Sequence, residues 1–423
     1  MVKRYSNSSV FLAAFICVIL FYSGLVKVSN KNRFVCFLKP QEINCIQGSL
    51  ISSPVKTGDG NYYSARYKVN RVQTKKGVSG GATGNIVVYI PSDQAEALLP
   101  GKLYSKAILK GQNKAPLWEA GGIYTVTGSF GSTQDKFYIS ECTVAFFPQT
   151  IYGKLDYIRA LCRLQFKRLM FSWGAAGGLL LALLCGAKEY TSLDISLSFK
   201  NAGLSHILAL SGMHLSMFSG IALFIGKKIG RKKLTFIIRV IALIIFVWFA
   251  GFSPSLLRAF LCNLLLIIAA LANVKKPDML LILAFSFLCQ TIITPQDIFN
   301  SGFILSYTAL AGILLTNRFF NKFYCRFMPG YFAASLGSST GAQIFTAPVS
   351  LKLFGSFAPV GIIATSVVSP MVTLFIYSGL ALIILSLIFP PLAMASGFFI
   401  NLEYTVLKYL VTFFSKAFIW RIN

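Results

Sequence analysis

His206 and His214 are the only histidines in this 423-residue chain, and they lie in one apolar segment, GLSHILALSGMHLS (203–216). Ionisable side chains inside a hydrophobic segment are costly, and they usually face a cavity, a partner or a pathway. Ser211-Gly212, between them, weakens a helix because glycine gains entropy by leaving it and serine can bond its own backbone. At membrane depth a broken helix is tolerated where it packs in protein or lines a wet cavity. We therefore expect a functional site here, although two structural histidines with satisfied hydrogen bonds would give the same pattern.

Arg258 is a further candidate because it stands near the start of an otherwise apolar segment. There it would pair with a phosphate or an acid inside the membrane. The alternative without a functional role is an arginine whose side chain snorkels to the interface. We expect Arg258 to line the same crevice as His206, Ser211-Gly212 and His214.

Metal and nucleophilic catalysis find little support in the residue pattern. The nine cysteines show no CxxC pair, and with only two histidines a dedicated zinc site is not expected. Carboxylates after residue 150 are spread singly, except Glu189 and Asp194, which lie in a connecting segment. Ser211 could act with a histidine in a membrane-embedded hydrolase, but the chain has no Gly-x-Ser-x-Gly elbow. We expect no enzymatic activity, no catalytic residue, no metal and no cofactor.

The composition is that of a polytopic membrane protein. Hydrophobic residues make up 55% of the chain, charged residues only 13%, and the mean hydropathy is +0.66. Apolar segments of the length and polarity of membrane helices predict an all-α bundle with seven to nine crossings. These segments lie near 171–187, 213–229, 234–251, 255–273, 279–293, 301–316, 331–350, 359–388 and 392–417.

The net charge of +27 arises from 40 Lys and Arg against 13 Asp and Glu. Positive charges that flank membrane helices and bind anionic lipid would explain it, and so would a polyanionic ligand. Loops rich in Lys and Arg alternate with poor ones, but the positive-inside rule leaves the side of the N-terminal region open. It would be cytoplasmic unless 203–212 adds an extra or re-entrant pass.

The N-terminal part divides into an apolar run and a β-rich region. Residues 9–26 follow Lys3-Arg4 and are typical of an uncleaved anchor. Between 40 and 147, five or six short β-rich runs alternate with turn clusters, which predicts a small barrel of OB type. Its excess of basic residues and scattered tyrosines would suit single-stranded nucleic acid, and a purely structural barrel would show them as well.

Two further features of this region can be tested. Cys45 lies in the first predicted strand and Cys142 in the last, so an exported, closed barrel would permit a disulfide between them. Residues 155–170 follow the helical period, with Arg159, Arg163 and Lys167 opposite an apolar face. A basic amphipathic helix of this kind is typical of the membrane interface.

Four segments in sequence order resemble the ComEC-type competence channels. The histidine segment 203–216 is similar to the family's signature, FSPSLLRAF (252–260) to its Ser-x-x-Arg-Ala element, and FNSGFILSYTALAGILL (299–315) to its Gly-Phe-x-Leu-Ser helix. Residues 342–370 follow the family's next stretch, with Pro348 and Pro370 at matching places. The β-rich region also resembles the family's external OB-like domain, so the likeness covers most of residues 40–390.

The resemblance implies a channel component that carries single-stranded DNA across the cytoplasmic membrane during natural transformation. Implied partners are single-stranded DNA, membrane lipids, other competence proteins, a separate nuclease and a second copy of the chain. Thr294, Ile304 and Thr365 depart from the family's usual residues, and the chain ends at Asn423 without the metallo-β-lactamase-like domain of many members. We therefore expect any nuclease role to belong to another protein.

The predicted organisation has four parts. Residues 1–39 form a membrane anchor and linker, 40–147 an OB-like barrel on the external face, 148–170 an interfacial helix, and 171–423 a multi-pass channel domain. An alternative function is a small-molecule or ion permease, because transporters also build binding sites at broken helices.

Overall fold

The computed structural model describes residues 9–23, 34–100, 115–131, 135–186, 190–208, 212–251, 253–417 and 419–421. Within these ranges the chain is rich in helices and has a β domain near its N-terminus. The strands are β1 (Val35–Cys36), β2 (Ile43–Leu50), β3 (Val55–Lys56), β4 (Tyr62–Thr74), β5 (Ser79–Thr83), β6 (Asn85–Pro91), β7 (Ile123–Phe130), β8 (Lys136–Phe146), β9 (Ser356–Phe357) and β10 (Trp420–Arg421). The first three helices in sequence order are α1 (Ser9–Tyr22), α2 (Ser92–Glu96) and α3 (Ile151–Ser172).

Every apolar segment predicted from the sequence coincides with a helix. The helices after α3 are α4 (Gly174–Cys185), α5 (Leu193–Asn201), α6 (Ser205–Leu208), α7 (Gly212–Ile229), α8 (Lys232–Ala250), α9 (Pro254–Leu271), α10 (Met279–Ile293), α11 (Ser301–Tyr324), α12 (Gly330–Phe354), α13 (Gly361–Ile388) and α14 (Ala393–Ser415). Short 3-10 turns precede β2, α11 and α14 at Pro40–Glu42, Pro295–Phe299 and Pro390–Leu392.

Five long strands close into a small barrel, which confirms the barrel predicted from the β-rich region. Their order is β4-β2-β7-β8-β6, and β6 pairs again with β4 to complete the circle. The pair β6–β8 is parallel, and the other neighbours in this circle are antiparallel. Alternate residues point inward because side chains in a strand have a period of two, and Ile46, Tyr67 and Phe137 are fully buried. One of the β-rich runs of the sequence, residues 103–110, lies outside the described residues.

Four helices of the described chain are long and apolar enough to cross a membrane, namely α8, α9, α11 and α13. Helices α1, α4 and α10 are apolar but shorter. The sequence predicts seven to nine crossings from nine segments, and five of these segments are not among the four helices. Helices α4 and α10 are too short, and α7, α12 and α14 are more polar. Helix α7 contains His214 and two lysines, α14 contains Glu403, and α12 is rich in Ser and Thr.

A large apolar core joins α3, α4, α13 and α14 around Trp173. The indole Nε1 donates to the carbonyl oxygen of Ala393 (2.8 Å), and Asn401 Nδ2 donates to the carbonyl oxygen of Trp173 (3.0 Å). These bonds satisfy polar groups that would be costly if left unpaired in an apolar interior. The connection between α3 and α4 is therefore anchored to α14.

Helices α11 and α12 form a closely packed pair. A Cβ atom on Gly312 would lie 2.3 Å from the carbonyl oxygen of Gly341, so only glycine allows the two backbones to approach this far. Small residues at such contacts are typical of helix pairs in membranes, where dispersion contacts replace the hydrophobic effect. The pair holds α11 in place, and α11 supplies two groups to the site described next.

Candidate functional site

In the histidine segment the structure describes helices α6 and α7, and residues 209–211 between them lie outside the described residues. Ser211, part of the predicted site, lies outside the described residues. His214 lies in the first turn of α7 and is only 1% exposed, whereas the His206 side chain in α6 is exposed. Gly212, the first residue of α7, stands where the sequence predicts an interruption.

Arg258 meets the start of α7. It lies in the second turn of α9, whose N-terminus is capped by the Ser253 hydroxyl, which accepts from the Leu256 amide (3.4 Å). Arg258 Nη1 donates to the carbonyl oxygen of Ser306 in α11 (2.8 Å). Its Nη2 lies 3.2 Å from the position that a Cβ atom on Gly212 would occupy. Arg258 Nε is buried and has no acceptor among the described residues.

A hydrogen-bond network fixes the helices around this arginine. Tyr307 Oη donates to Gln290 Oε1 (3.0 Å), and Gln290 Nε2 donates to the carbonyl oxygen of Pro254 (3.0 Å). Gln290 and Ser286 are fully buried, and Ser286 lies within 3.4 Å of Tyr307 Oη. Helices α9, α10 and α11 are thus cross-linked within one turn of Arg258, which makes the guanidinium a held group rather than a mobile one.

This arrangement favours an anion. Arg258 brings a full positive charge close to Gly212, the first described residue of α7, and its Nε donor is unused among the described residues. Arginine binds phosphate or carboxylate through charge-assisted hydrogen bonds.

His206 is positioned by other elements. Just before α6, a Cβ atom on Gly203 would lie 2.9 Å from the carbonyl oxygen of Ala358 and 3.0 Å from Gly361 Cα, so the chain here packs against the start of α13. The described contacts bring Arg258 together with Gly212 and do not include one between Arg258 and His206. Only part of the predicted constellation is therefore seen in direct contact.

Arg239 was not singled out from the sequence. It lies within the apolar helix α8, and its Nε and Nη2 donate to Ser219 Oγ of α7 (3.3 and 3.2 Å). The signal that pointed to Arg258, a lone arginine in an apolar run, is present here too. Two arginines thus contact α7, one at its N-terminus and one two turns later.

A second polar cluster joins the barrel to α3. Glu119, 3% exposed, lies in the segment before β7, and its Oε1 accepts from Lys167 Nζ (2.7 Å) while its Oε2 lies 3.2 Å from Arg163 Nε. Burial raises the pKa of this carboxyl, but the charges of Arg163 and Lys167 outweigh it and lower the pKa to about 2. Arg163 Nη1 also donates to the carbonyl oxygen of Phe249 at the end of α8 (3.1 Å).

The basic face of α3 therefore faces protein, which the sequence does not reveal. Arg163 and Lys167 are buried against the barrel, while the apolar side chains Ile151, Leu155 and Ile158 of the same helix are exposed. An amphipathic helix was predicted here, and the structure adds the acidic partner of its polar face.

Cys45 and Cys142 are free thiols in the structure. Cys45 of β2 pairs with Thr127 of β7, and Cys142 of β8 pairs with Val126 of β7, so β7 lies between the two cysteines. Two strand spacings amount to about 9.6 Å, whereas a disulfide requires Cα atoms within about 7 Å. The closed barrel thus separates the residues whose pairing the sequence left open. Burial also raises the pKa of the Cys142 thiol to about 11.

Among the described residues, no three His, Cys, Asp or Glu side chains are grouped so that they could hold a metal ion. Of the two neighbouring carboxylates considered from the sequence, Asp194 lies in the first turn of α5 and Glu189 lies outside the described residues.

Comparison with known proteins places this geometry in context. The chain is 24% identical over 208 residues to ComE operon protein 3 of Bacillus subtilis (strain 168). The aligned region covers 48% of this chain and 25% of that protein. It is 24% identical over 241 residues to a protein of Aquifex aeolicus (strain VF5) described as uncharacterized, covering 56% of this chain and 54% of that one. The chain thus spans about a quarter of one curated relative and about half of the other. No solved structure matches it.

The part of the chain that contains the histidine segment, Arg258 and Arg239 also matches a protein family. Residues 183–421, more than half of the chain, match the family described as Competence protein. The chain belongs to the competence protein family.

Proposed function

We propose that this protein is a membrane component for DNA uptake, and that it carries single-stranded DNA across the cytoplasmic membrane during natural transformation. Family membership and the likeness to ComE operon protein 3 support a role in competence. The arrangement of Arg258 at the N-terminus of α7 supports an anionic substrate. Each phosphate of a DNA strand carries a charge that is costly in about 30 Å of low dielectric, and fixed donors along a polar crevice lower that cost.

The observation that carries the proposal is the Arg258 guanidinium. It is held against Gly212 by the bond to Ser306, and its Nε stays unpaired among the described residues. A group that binds a moving strand must attract each phosphate and also release it. Arg258 uses only part of its donors for hydrogen bonds to the described residues, so it can attract a phosphate without holding it too tightly. His206, Ser211 and His214 are proposed to line the same pathway.

The barrel is proposed to be of OB type and to lie on the external face. Its strand order, with a closed circle of five strands and one parallel pair between β6 and β8, supports the OB assignment. Helix α3 is proposed to lie in the membrane interface, since its side chains Leu155 and Ile158 are apolar and exposed, while Arg163 and Lys167 are buried and bind Glu119.

The remaining partners follow from the same proposal. The chain would work with other competence proteins and with a separate nuclease, would contact anionic lipid through its basic loops, and would associate with further copies of itself. The proposed division remains 1–39 for the anchor and linker, 40–147 for the barrel, 148–170 for the interfacial helix and 171–423 for the membrane domain.

Uptake of labelled DNA by cells that depend on this protein tests the proposal. We expect Arg258→Ala to lower uptake by about tenfold or more, because a charge-assisted hydrogen bond contributes about 1.5–3 kcal/mol. His214→Ala should lower uptake as well. Arg239→Ala is the matched control, since it also removes an arginine that contacts α7 and should have the smaller effect. Normal uptake by Arg258→Ala and His214→Ala cells, with wild-type amounts of protein in the membrane, would contradict the proposed pathway.

A further inference from the structure

Three tyrosines form one cluster on the outside of the barrel. Tyr89 of β6 and Tyr138 of β8 are stacked, with ring centroids 4.7 Å apart and an interplanar angle of 13°. Tyr62 of β4 meets both of them edge-on, at 5.6 Å from Tyr138 and 6.4 Å from Tyr89. Tyr62 is 36% exposed, and the other two are partly exposed, so the cluster presents aromatic surface to its surroundings.

Strand register places basic residues beside this cluster. Tyr89 is directly opposite Tyr138, and one row along the same face Val87 is opposite both Arg66 of β4 and Lys136 of β8. Successive rows on one face of a sheet are two residues, or about 6.8 Å, apart. Lys68 occupies the next row on β4, and all three cations are exposed. We call the outward positions of β4, β6 and β8, which are 62, 64, 66, 68, 85, 87, 89, 91, 136, 138 and 140, the tyrosine face.

The tyrosine face differs in charge from the opposite side of the barrel. None of its positions is acidic; the nearest acids in sequence are Asp135 and Glu141, at either end of the β8 stretch. On the other side, the outward positions of β2 and β7 are uncharged, with Gln47 opposite Thr125 and Cys45 opposite Thr127. The concentration of aromatic rings and cations on one side is thus a property of the folded barrel.

We propose that the tyrosine face binds single-stranded DNA, with bases stacked on the cluster of Tyr62, Tyr89 and Tyr138 and phosphates paired with Arg66, Lys68 and Lys136. Stacking on aromatic side chains combined with a positive track is how proteins bind single strands without reading sequence. The row spacing of about 6.8 Å is close to the reach between successive nucleotides of an extended strand, so one strand can contact rings and cations together. This inference rests on the proposed function and gives it an entry surface.

The same residues have two other interpretations. Aromatic cross-strand pairs stabilise sheets, and in that case the rings would serve the barrel alone. Aromatic residues beside cations are also found at membrane surfaces, and the face would then contact anionic lipid. The geometry favours DNA, because the cluster adjoins three cations in two neighbouring rows and the remaining outward positions are small or polar.

The test measures binding of a fluorescent oligo(dT) of about 12 nucleotides to the full chain in phosphatidylcholine nanodiscs. We expect Tyr62→Ala and Tyr138→Leu each to weaken binding by about tenfold, whereas Tyr62→Phe, which keeps the ring, should bind as wild type. Arg66→Gln and Lys136→Gln should each reduce the slope of log K against log salt concentration by about 0.7, the value for one phosphate contact of a single strand. Duplex DNA should bind less tightly, because its bases are not free to stack.

Matched controls come from the exposed side chains of α3. Tyr152→Ala removes an exposed tyrosine and Lys154→Gln an exposed cation, both outside the tyrosine face, and neither should change the affinity. Thermal unfolding of each variant identifies any loss of the barrel itself, and Tyr62→Ala and the two charge variants remain informative if Tyr138→Leu unfolds.

Three outcomes would overturn the proposal. The first is that folded variants of the tyrosine face bind the oligonucleotide as tightly as the wild type, and the second is that the wild-type chain does not bind it at all. The third is that hydrogen exchange shows the face protected by phosphatidylglycerol nanodiscs while the oligonucleotide affinity stays unchanged. The last result would assign the face to lipid. None of these results affects the uptake expected for Arg258→Ala cells. The proposed pathway through the membrane is therefore tested independently of the tyrosine face.

Discussion

At the residue scale, the absence of a side chain at Gly212 determines how close Arg258 comes to α7. A Cβ atom there would lie 3.2 Å from Arg258 Nη2 and 3.5 Å from the Ala259 Cβ atom. The first distance is tight for a Cβ contact, so the guanidinium would have to give way by a few tenths of an ångström. Because Arg258 is also bound to Ser306, such a shift would weaken that bond or change the donors that face the crevice.

We predict that Gly212→Ala lowers DNA uptake and that Gly212→Val lowers it further. Gly220→Ala is the matched control, because it lies in the same helix and a Cβ atom there would meet nothing within 4 Å. That change should leave uptake intact and stabilise the helix by up to about 1 kcal/mol, since alanine is the better helix former. Uptake and membrane protein levels are compared in the same cells. Equal uptake by the Gly212→Val and Gly220→Ala cells would show that the close approach of Arg258 to Gly212 does not contribute to DNA uptake.

At the scale of elements, helix α3 connects the barrel to the membrane domain through buried charge. Glu119 of the barrel neutralises part of the charge of Arg163 and Lys167, and Arg163 reaches on to the end of α8. The backbone also adapts to this junction. Gly121 has a positive φ of 90°, and a Cβ atom there would lie 2.5 Å from the carboxylate of Asp156 in α3. The barrel is therefore held to α3 by contacts that allow little variation.

We predict that Glu119→Gln destabilises the junction by about 3–5 kcal/mol, because it removes the negative charge that is paired with Arg163 and Lys167 in a buried cluster. The matched control is Glu96→Gln, which removes the acid of a half-exposed pair with Lys56 in the same barrel and should cost less than about 1 kcal/mol. Denaturant unfolding in detergent, followed by barrel tryptophan fluorescence at Trp118, measures both. If the two substitutions lower the free energy of unfolding by the same amount, the buried cluster of Glu119, Arg163 and Lys167 does not stabilise the junction.

The junction should also depend on pH. The pKa of Glu119 is lowered in the folded protein to about 2, against about 4.3 for an unperturbed glutamate. A lowered folded pKa means that the stabilisation is complete above the unfolded pKa and is lost as the pH falls through the folded one. We predict that the thermal midpoint of the wild type falls between about pH 4.3 and pH 2, and that Glu119→Gln shows a smaller fall in the same window. Parallel midpoint curves would place the acid sensitivity in other carboxylates.

At the scale of the whole molecule, the side of the membrane on which the barrel lies governs what it can do. An external barrel would meet incoming DNA before the membrane helices, and the tyrosine face would then act ahead of Arg258. The charge of the loops alone does not determine this orientation, because the number of passes before α8 depends on how residues 203–212 run.

We predict that a cysteine introduced at Ser140, an exposed position of the tyrosine face, reacts with a membrane-impermeant maleimide in intact cells. The parent protein, with the exposed Cys162 and Cys325 replaced by serine, gives the background. A cysteine at exposed Arg231, in the basic loop between α7 and α8, should react only after the cells are opened. The reverse pattern would place the barrel in the cytoplasm and exclude it as an entry surface.

The local elements were determined by the sequence itself. Nine apolar segments became helices, and β-rich runs became the strands of a barrel, because hydrophobic periodicity and turn residues act over short stretches of chain. The segment 203–216 and Arg258 also stood out without a structure, since polar groups in apolar surroundings are few and costly. The sequence predicts more membrane helices than the four of the described chain that are long and apolar enough to span a membrane, because α4 and α10 are shorter and α7, α12 and α14 contain more polar residues.

Only the tertiary structure decided which of these residues meet. Strand β7 separates Cys45 from Cys142, and register alone brings Tyr62, Tyr89 and Tyr138 to one face. Glu119 binds Lys167, which lies 48 residues later in the sequence, and Arg258 binds Ser306 at the same sequence separation. Such pairings depend on how the barrel closes and how the helices pack, and a one-residue slip of a strand would turn its side chains to the other side. Local pattern carries no information about that choice, so the contacts that make a site appear only in the folded chain.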